Sequence, residues 1–233
     1  MAQRALVTGG NKGIGLEVSK QLLEKGYEVI IIARDFSSFD LTHHNITAIE
    51  YDLENVAGLT TLMNKIGPVD ILVNNAGFLQ PKYTYDNYPQ EAKERIMNVD
   101  LYTPVELMTL VCGSMKANSY GRIINVSSIA GQLGHPDIWY GVAKAGLINA
   151  TKSYAKQLGS HGIVVNCISP SPIDTDMQKD NSEERKAEFR KSVVSGRFGE
   201  ASEVASAIVW LATDAPEYIN GTTLDINNCS YMR

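Results

Sequence analysis

The stretch Ala5-Leu-Val-Thr-Gly-Gly-Asn-Lys-Gly-Ile-Gly15 decides the fold of this chain. It predicts a short apolar strand, a glycine-rich turn and then an amphipathic helix over Leu16–Lys25. Glycine is needed where the backbone takes a positive φ or passes close to a ligand, and the free N–H groups of a helix N-terminus favour a phosphate group. The stretch therefore predicts a phosphate-binding turn. Its candidate binding residues are Thr8, Gly9, Asn11, Lys12, Gly13, Ile14 and Gly15.

Strands and helices alternate along the rest of the chain. The run Glu28–Ala33 is almost continuously apolar, which is typical of a strand that is covered on both faces. Connections that are too long for hairpins predict right-handed crossovers and a parallel sheet with helices on both sides. We find no repeat and no linker-like change of composition. Residues 1–233 are therefore predicted to form one α/β domain with a doubly wound sheet of about seven strands.

Three long helices are predicted after residue 90. Two of them, Glu91–Val99 and Pro104–Ala117, are separated by a short break, and the third spans Tyr140–Leu158. The segment 174–198 is predicted to be a substrate loop or lid, with a charged helix near Ser182–Lys191.

Composition excludes several classes of protein. A net charge of -5 argues against a surface for nucleic acid or anionic membrane, because such surfaces need clustered Lys and Arg. The three cysteines are far apart, lack metal-ligand spacing and are interpreted as reduced thiols, so no metal site is predicted. No apolar run approaches the ~20 residues of a membrane span, and a first strand near Arg4 leaves no room for a signal peptide. We therefore expect a soluble, cytoplasmic protein.

The residues after each strand are the candidates for chemistry, because a doubly wound sheet binds its ligand beyond the carboxyl ends of its strands. Tyr140 and Lys144 begin the helix after the fifth strand, and their i, i+4 spacing places them on one helix face. A nearby ammonium favours a phenolate, so we predict that the pKa of Tyr140 is lowered from about 10 toward the working pH. Tyr140 is thus a candidate proton donor to a carbonyl oxygen, which Ser128 could also hydrogen-bond.

Taken together, the motifs resemble the short-chain dehydrogenase/reductase family, and within it the 3-oxoacyl-[acyl-carrier-protein] reductases. The resemblance covers nearly the whole chain and implies a Rossmann-type sheet. It rests on Thr8-Gly-x-x-x-Gly-x-Gly15, Asn74-Asn-Ala-Gly77, Asn98, Ser128, Tyr140-x-x-x-Lys144, Pro170 to Thr175 and the ending Ile219–Ile226.

The resemblance implies a role for each catalytic candidate. Tyr140 would protonate the carbonyl oxygen, or deprotonate the alcohol in reverse, while a nicotinamide exchanges hydride with the carbon. Lys144 would bind the nicotinamide ribose and help to lower the pKa of Tyr140. Ser128 would polarise the carbonyl, whereas the neighbouring Ser127 is interpreted as structural. Asn98 would hold a water of a proton relay, with the alternative that it only bridges backbone in a helix kink.

The resemblance also implies the remaining cofactor contacts. They are Asn75, Ala76 and Gly77 along the adenosine, Asp52 and Leu53 at the adenine, and Pro170, Ile173 and Thr175 at the nicotinamide.

The identity of the nicotinamide depends on the end of the second strand. An acid there would accept hydrogen bonds from the 2′-hydroxyl of NAD, but this strand ends in Ala33 with Arg34 next. Arg34 and Lys12 together suit a 2′-phosphate, which predicts NADP(H) and physiological reduction. Asp35 follows immediately and leaves NAD open, although by register it should point away.

The substrate is less determined. Relatives have Pro-Gly where this chain has Pro170-Ser171-Pro172, and a glycine pair near Asn227-Asn228-Cys229. The lid is either a basic surface for an acidic carrier protein or a solvated face, and His135 could border the substrate. An acyl thioester, a small ketone, a sugar-derived ketone and a quinone all fit.

Two alternatives to a 3-oxoacyl-thioester reductase are kept. One is an NADP-dependent alcohol or sugar dehydrogenase, and the other, less favoured, is a non-catalytic nucleotide-binding protein. The resemblance further implies a homodimer or homotetramer built on Pro104–Ala117, Tyr140–Leu158 and the last strand.

Overall fold

The computed structural model describes residues 3–79, 83–179 and 181–232. In this part of the chain, seven parallel strands form one sheet in the order β3-β2-β1-β4-β5-β6-β7. The strands are β1 Arg4–Thr8, β2 Glu28–Ala33, β3 Ile46–Glu50, β4 Ile71–Asn74, β5 Gly121–Val126, β6 Ile163–Pro170 and β7 Thr223–Ile226. The predicted single α/β sheet is confirmed.

The helices connect the strands as crossovers. They are α1 Gly13–Glu24, α2 Leu59–Ile66, α3 Gln90–Met97, α4 Thr103–Asn118, α5 Ile138–Leu158, α6 Glu183–Ser192 and α7 Ala201–Thr213, with a π-helical segment at Asn98–Tyr102. Among the described residues, no helix is long and apolar enough to cross a membrane.

Two apolar layers cover the sheet because successive strand residues point to opposite faces. In β1, Ala5 and Val7 pack into a cluster with α1 and α7, whereas Leu6 packs into a second cluster with α2, α4 and α5. Each layer is built from Val, Ile and Leu side chains that are almost fully buried. The apolar run Glu28–Ala33, which predicted a sheet covered on both faces, therefore contributes side chains to both layers.

The break predicted between two helices is wrong. The chain stays helical from Gln90 to Asn118, and the segment Asn98–Tyr102 widens into one π-turn, in which Thr103 N–H donates to Asn98 C=O. Pro104 lies in the first turn of α4. The segment predicted to be a substrate lid contains α6, whose N-cap is Ser182. Position 180 lies outside the described residues.

Candidate active site

The glycine turn lies at the point where the order of the sheet reverses. β1 is paired with β2 on one side and with β4 on the other, so the chain leaves the sheet in opposite directions from β1 and β4. In a doubly wound sheet this switch point opens a crevice at the carboxyl edge. The predicted residues after β1 and β4 therefore come together.

Thr8 and Asn75 hold the two sides of this crevice in register. The buried Thr8 hydroxyl accepts hydrogen bonds from the N–H groups of Asn75 and Ala76, both at 3.0 Å. The Asn75 amide donates in return to Thr8 C=O at 2.9 Å and to Gly9 C=O at 3.2 Å. Gly9 takes φ +65°, and a Cβ on Gly15 would lie 2.2 Å from Gly9 C=O. The turn is thus too tight for larger residues.

The N-terminus of α1 faces the crevice. Its first turn, Gly13–Leu16, contains no acidic residue. Lys12 is the N-cap residue, and its side chain forms no capping hydrogen bond within the described chain. A Cβ on Gly13 would lie 3.4 Å from the methyl group of Thr175, so these two predicted contacts are neighbours. A helix N-terminus in this state is suited to an anion.

Two exposed cations flank the crevice on the side of β2. Arg34 follows β2 and is exposed, and Lys12 has 65% of its side chain exposed, with Nζ 3.9 Å from a carboxylate oxygen of Asp176. Asp35 turns its carboxylate into its own turn, where it accepts Ser37 N–H at 2.7 Å and the Ser37 hydroxyl at 2.8 Å. These hydrogen bonds lower the pKa of Asp35. Asn11 donates to Asp35 C=O at 2.8 Å and ties this segment to the glycine turn.

The other predicted cofactor residues differ in exposure. Asp52 is exposed after β3, whereas Leu53 is 5% exposed and packs in the core. Pro170 ends β6, and Ile173 beyond it is also buried. The Ile173 side chain packs in the apolar cluster with α1 and α7, and its backbone forms a parallel bridge with Gly199. The Leu53 side chain likewise packs against the apolar residues of the core.

Tyr140 and Lys144 lie on one face of α5, as their spacing predicts, and both are almost fully buried. Tyr140 is 7% exposed and Lys144 is 3% exposed. The Lys144 ammonium donates to Val126 C=O at 3.1 Å and lies 5.6 Å from the centre of the Tyr140 ring. The last residue of β5 thus holds a lysine from the first part of the next helix.

Asp100 is the charged residue that sequence reasoning missed. It is 0% exposed, and its Oδ1 lies 2.9 Å from Lys144 Nζ. Its Oδ2 accepts Phe78 N–H at 3.0 Å. The one signal in the sequence was an acid between the apolar residues Val99 and Leu101, at the edge of a predicted helix.

The two adjacent serines have different partners. Ser127 is buried, and its hydroxyl donates to Lys144 C=O at 2.8 Å. The Ser128 hydroxyl accepts Ala130 N–H at 3.1 Å, and it lies close enough to Tyr140 to act to lower the pKa of that phenol. Ser127 therefore supports the helix, and Ser128 is the serine beside Tyr140.

Burial reverses the pKa shift that the sequence predicts for Tyr140. Desolvation raises the pKa of the phenol, Lys144 acts to lower it, and Asp100 opposes Lys144, so that the pKa is raised. Burial also acts to lower the pKa of Lys144, but the charges of Asp100 and Tyr140 raise it above its usual value. The prediction of a lowered pKa was wrong because it left out both burial and the counter-ion of the lysine.

Asn98 begins the π-helical segment, and its carbonyl accepts the i+5 hydrogen bond. Helical bulges of this kind are frequent at functional sites. The helix is distorted at Asn98, but the bonded atom is its main-chain carbonyl, so a backbone-bridging role and a water-holding role for its side chain both stay predictions.

His135, Asp137 and Tyr88 form the rim beside Tyr140. The ring centres of His135 and Tyr140 are 5.3 Å apart. Asp137 caps α5 by accepting Tyr140 N–H at 3.1 Å, and it also accepts the Tyr88 hydroxyl at 2.9 Å. Burial and this bond raise the pKa of Tyr88. A small apolar cluster that includes Tyr140, Tyr88 and Trp139 borders the same place.

Known proteins match this chain over almost its full length. A family model described as Enoyl-(Acyl carrier protein) reductase matches residues 9–228. The 3-oxoacyl-[acyl-carrier-protein] reductase FabG of Vibrio harveyi is 38% identical over 243 residues, covering 98% of this chain and 97% of the relative. Two solved structures are similar in fold. "ElxO with NADP Bound" has a TM-score of 0.88 at 29% identity and 98% coverage of both chains. "4-hydroxyisoleucine dehydrogenase complexed with NADH" has a TM-score of 0.91 at 24% identity and 97% coverage of both.

Proposed function

Because the chain belongs to the short-chain dehydrogenase/reductase family, we propose that it reduces a ketone to a secondary alcohol with NADPH. The observation that carries this proposal is the buried pair Tyr140 and Lys144, with the half-buried Ser128 next to them, beside a glycine turn at the switch point of the sheet. A phenol that stays protonated suits proton donation to a carbonyl oxygen, which is the reductive direction.

The residues around the glycine turn fit a dinucleotide. Gly9 and Gly13 have positive φ, and the N-terminus of α1 carries neither an acid in its first turn nor a side-chain cap in the described chain. The pyrophosphate would lie at this N-terminus. Thr8 and Asn75 would shape the turn, and Gly77 would leave room for the nicotinamide ribose beside Lys144.

Preference for NADP(H) over NAD(H) is the finer part of the proposal. Arg34 and Lys12 are exposed cations at the side where a 2′-phosphate would lie, and Asp35 satisfies its carboxylate on Ser37. The NADP complex of ElxO supports this preference by analogy. The NADH complex at 24% identity shares only the fold, so the choice rests on the residues themselves.

The chemistry divides among four side chains. A bound nicotinamide supplies the hydride. Tyr140 donates the phenolic proton to the carbonyl oxygen, and Ser128 donates a hydrogen bond to the same oxygen and orients it. Lys144 holds the ribose hydroxyls and stabilises the phenolate that remains. Asn98 holds a water through which the phenol regains a proton.

We propose a 3-oxoacyl thioester as the substrate class. The name of the Vibrio harveyi relative and its coverage of nearly the whole chain support this class. The apolar cluster beside Tyr140 offers a surface for an acyl chain. A panel of acetoacetyl-coenzyme A, a small ketone, a sugar-derived ketone and a quinone, followed by NADPH consumption, tests the class. Faster consumption with a sugar-derived ketone would favour the alternative of a sugar dehydrogenase.

The decisive variant is Tyr140→Phe. We expect turnover to fall by at least about 100-fold, because the general acid is lost, while NADPH binding measured by fluorescence titration stays nearly unchanged. Tyr218→Phe is the control, since Tyr218 is fully exposed. Wild-type turnover in the Tyr140 variant would contradict the mechanism.

A homodimer or homotetramer remains part of the proposal. Tyr102 and Val142, which lie on the π-helical segment and on α5, are 52% and 46% exposed and support contact between copies. Size-exclusion chromatography with light scattering tests it, and a monomer would reject it.

A further inference from the structure

Asp100 lies under the backbone that follows β4. Its Oδ1 is 2.9 Å from Lys144 Nζ, and its Oδ2 accepts Phe78 N–H at 3.0 Å. A Cβ on Gly77 would lie 3.1 Å from Oδ1 and 3.4 Å from Nζ. The carboxylate therefore joins the π-helical segment, the loop after β4 and α5, and no side chain at position 77 has room to come between the two charges.

A carboxylate with no exposure needs a partner, because burying an unpaired charge is strongly unfavourable. Lys144 is that partner, and Asp100 in turn neutralises the ammonium that acts on Tyr140. The titratable groups that face this trio come from neighbouring elements. They are Tyr88 before α3, Asp137 and His135 before α5, and Cys167 on β6. Asp100, and none of these neighbouring groups, forms the ion pair with Lys144 in the described structure.

We propose that Asp100 is a positioning residue, which fixes the Lys144 ammonium and keeps the Tyr140 phenol in its proton-donating form to higher pH. This inference rests on the proposed reduction at the same site. Reduction needs the proton on Tyr140 before the reaction, so a carboxylate that favours the protonated pair favours the reductive direction.

The sign of the effect does not depend on which of the two groups loses its proton first. Tyr140 and Lys144 are close enough to titrate as a coupled pair, whose first proton leaves either the phenol or the ammonium. A neighbouring negative charge opposes both losses, and accordingly Asp100 raises the pKa of both groups. Removing this charge must therefore lower the pH at which the pair first ionises.

The test is Asp100→Asn, which keeps the size of the side chain and an oxygen that can accept Phe78 N–H. In protein without cofactor, tyrosine labelled with ¹³C at Cζ reports the titration of Tyr140, assigned by its absence in Tyr140→Phe. We expect the first midpoint to move down by about 1–3 pH units, the range for loss of one adjacent charge. The alkaline limb of reductive kcat/KM should move down with it.

Glu91→Gln is the matched control, because it removes one exposed negative charge from the first turn of α3. It should leave the midpoint in place. If Asp100→Asn does not fold, Asp100→Ser carries the same expectation with a smaller polar side chain. An unchanged or raised midpoint in a folded Asp100 variant would overturn the inference. Failure of the proposed function would differ, since wild-type protein would then reduce no ketone.

Discussion

Arg34 and Asp35 are adjacent, yet only one of them is available to a ligand. The Asp35 carboxylate is held by Ser37 through two hydrogen bonds of 2.7 and 2.8 Å, whereas Arg34 is exposed beyond the end of β2. Lys12 lies across the glycine turn, with only a loose contact of 3.9 Å to Asp176. Hydrogen bonds from Ser37 already occupy the Asp35 carboxylate. Arg34 is therefore the charged side chain that a bound ribose would meet.

The double variant Lys12→Ala, Arg34→Ala should separate the two nicotinamides. We expect the Kd for NADPH to rise by about 10–100-fold or more, because hydrogen bonds to charged groups contribute about 1.5–3 kcal/mol each. The Kd for NADH should change little. Fluorescence titration measures both constants, and Asp35→Asn serves as the control that should alter neither. Equal weakening for both cofactors would mean that the cations do not contact a 2′-phosphate.

At the scale of elements, α5 is the helix that contains Tyr140 and Lys144, the residues proposed to act in the reaction. The sequence predicted its start at Tyr140, but the structure begins it at Ile138 with Asp137 as its cap. The Asp137 carboxylate binds the N–H group of Tyr140 itself. The cap therefore fixes Tyr140, the proposed proton donor, as well as the start of the helix.

Asp137→Ala should destabilise the protein by about 2–4 kcal/mol. One part is the lost helix cap, at about 1 kcal/mol, and the other is the unpaired hydroxyl of Tyr88, at about 1–3 kcal/mol. Urea unfolding followed by circular dichroism measures the change. Asp137→Asn is the matched control, because asparagine caps a helix as well as aspartate does. A loss of the same size in both variants would show that the negative charge, rather than the hydrogen bonds, stabilises this end of α5.

On the scale of the whole molecule, the two apolar layers share one sheet and should unfold together. Leu22 on α1 lies in one layer and Leu107 on α4 lies in the other, and both are 0% exposed. Leu22→Ala and Leu107→Ala should each lower the free energy of unfolding by about 2–5 kcal/mol. Each variant should still unfold in one transition.

The two tryptophans allow this to be checked from both sides of the molecule. Trp210 lies on α7 and Trp139 on α5, two helices that cover opposite faces of the sheet, so fluorescence of single-tryptophan variants reports one helix from each face. Coincident transitions with those seen by circular dichroism would support a single cooperative unit. Separate midpoints for the two layers would contradict it.

Local patterns predicted most of the fold. The bounds of β2 agree with the predicted Glu28–Ala33, because a strand covered on both faces is marked by a run of apolar residues that ends abruptly. The helix from Gln90 to Asn118 was harder to predict. It was predicted as two helices, the second beginning at Pro104. Proline is compatible with a first helical turn, and the π-turn before it lets the helix continue.

The sequence by itself determined the parallel sheet, the glycine turn after β1 and the placement of Tyr140 and Lys144 on one face of a helix. Each of these follows from periodicity, glycine stereochemistry or i, i+4 spacing, which are local properties. Only the tertiary structure decided that Asp100 pairs with Lys144 and that burial raises the pKa of Tyr140. Ion pairing and desolvation depend on which elements pack together in space, and residues distant in the chain carry no local mark of that contact.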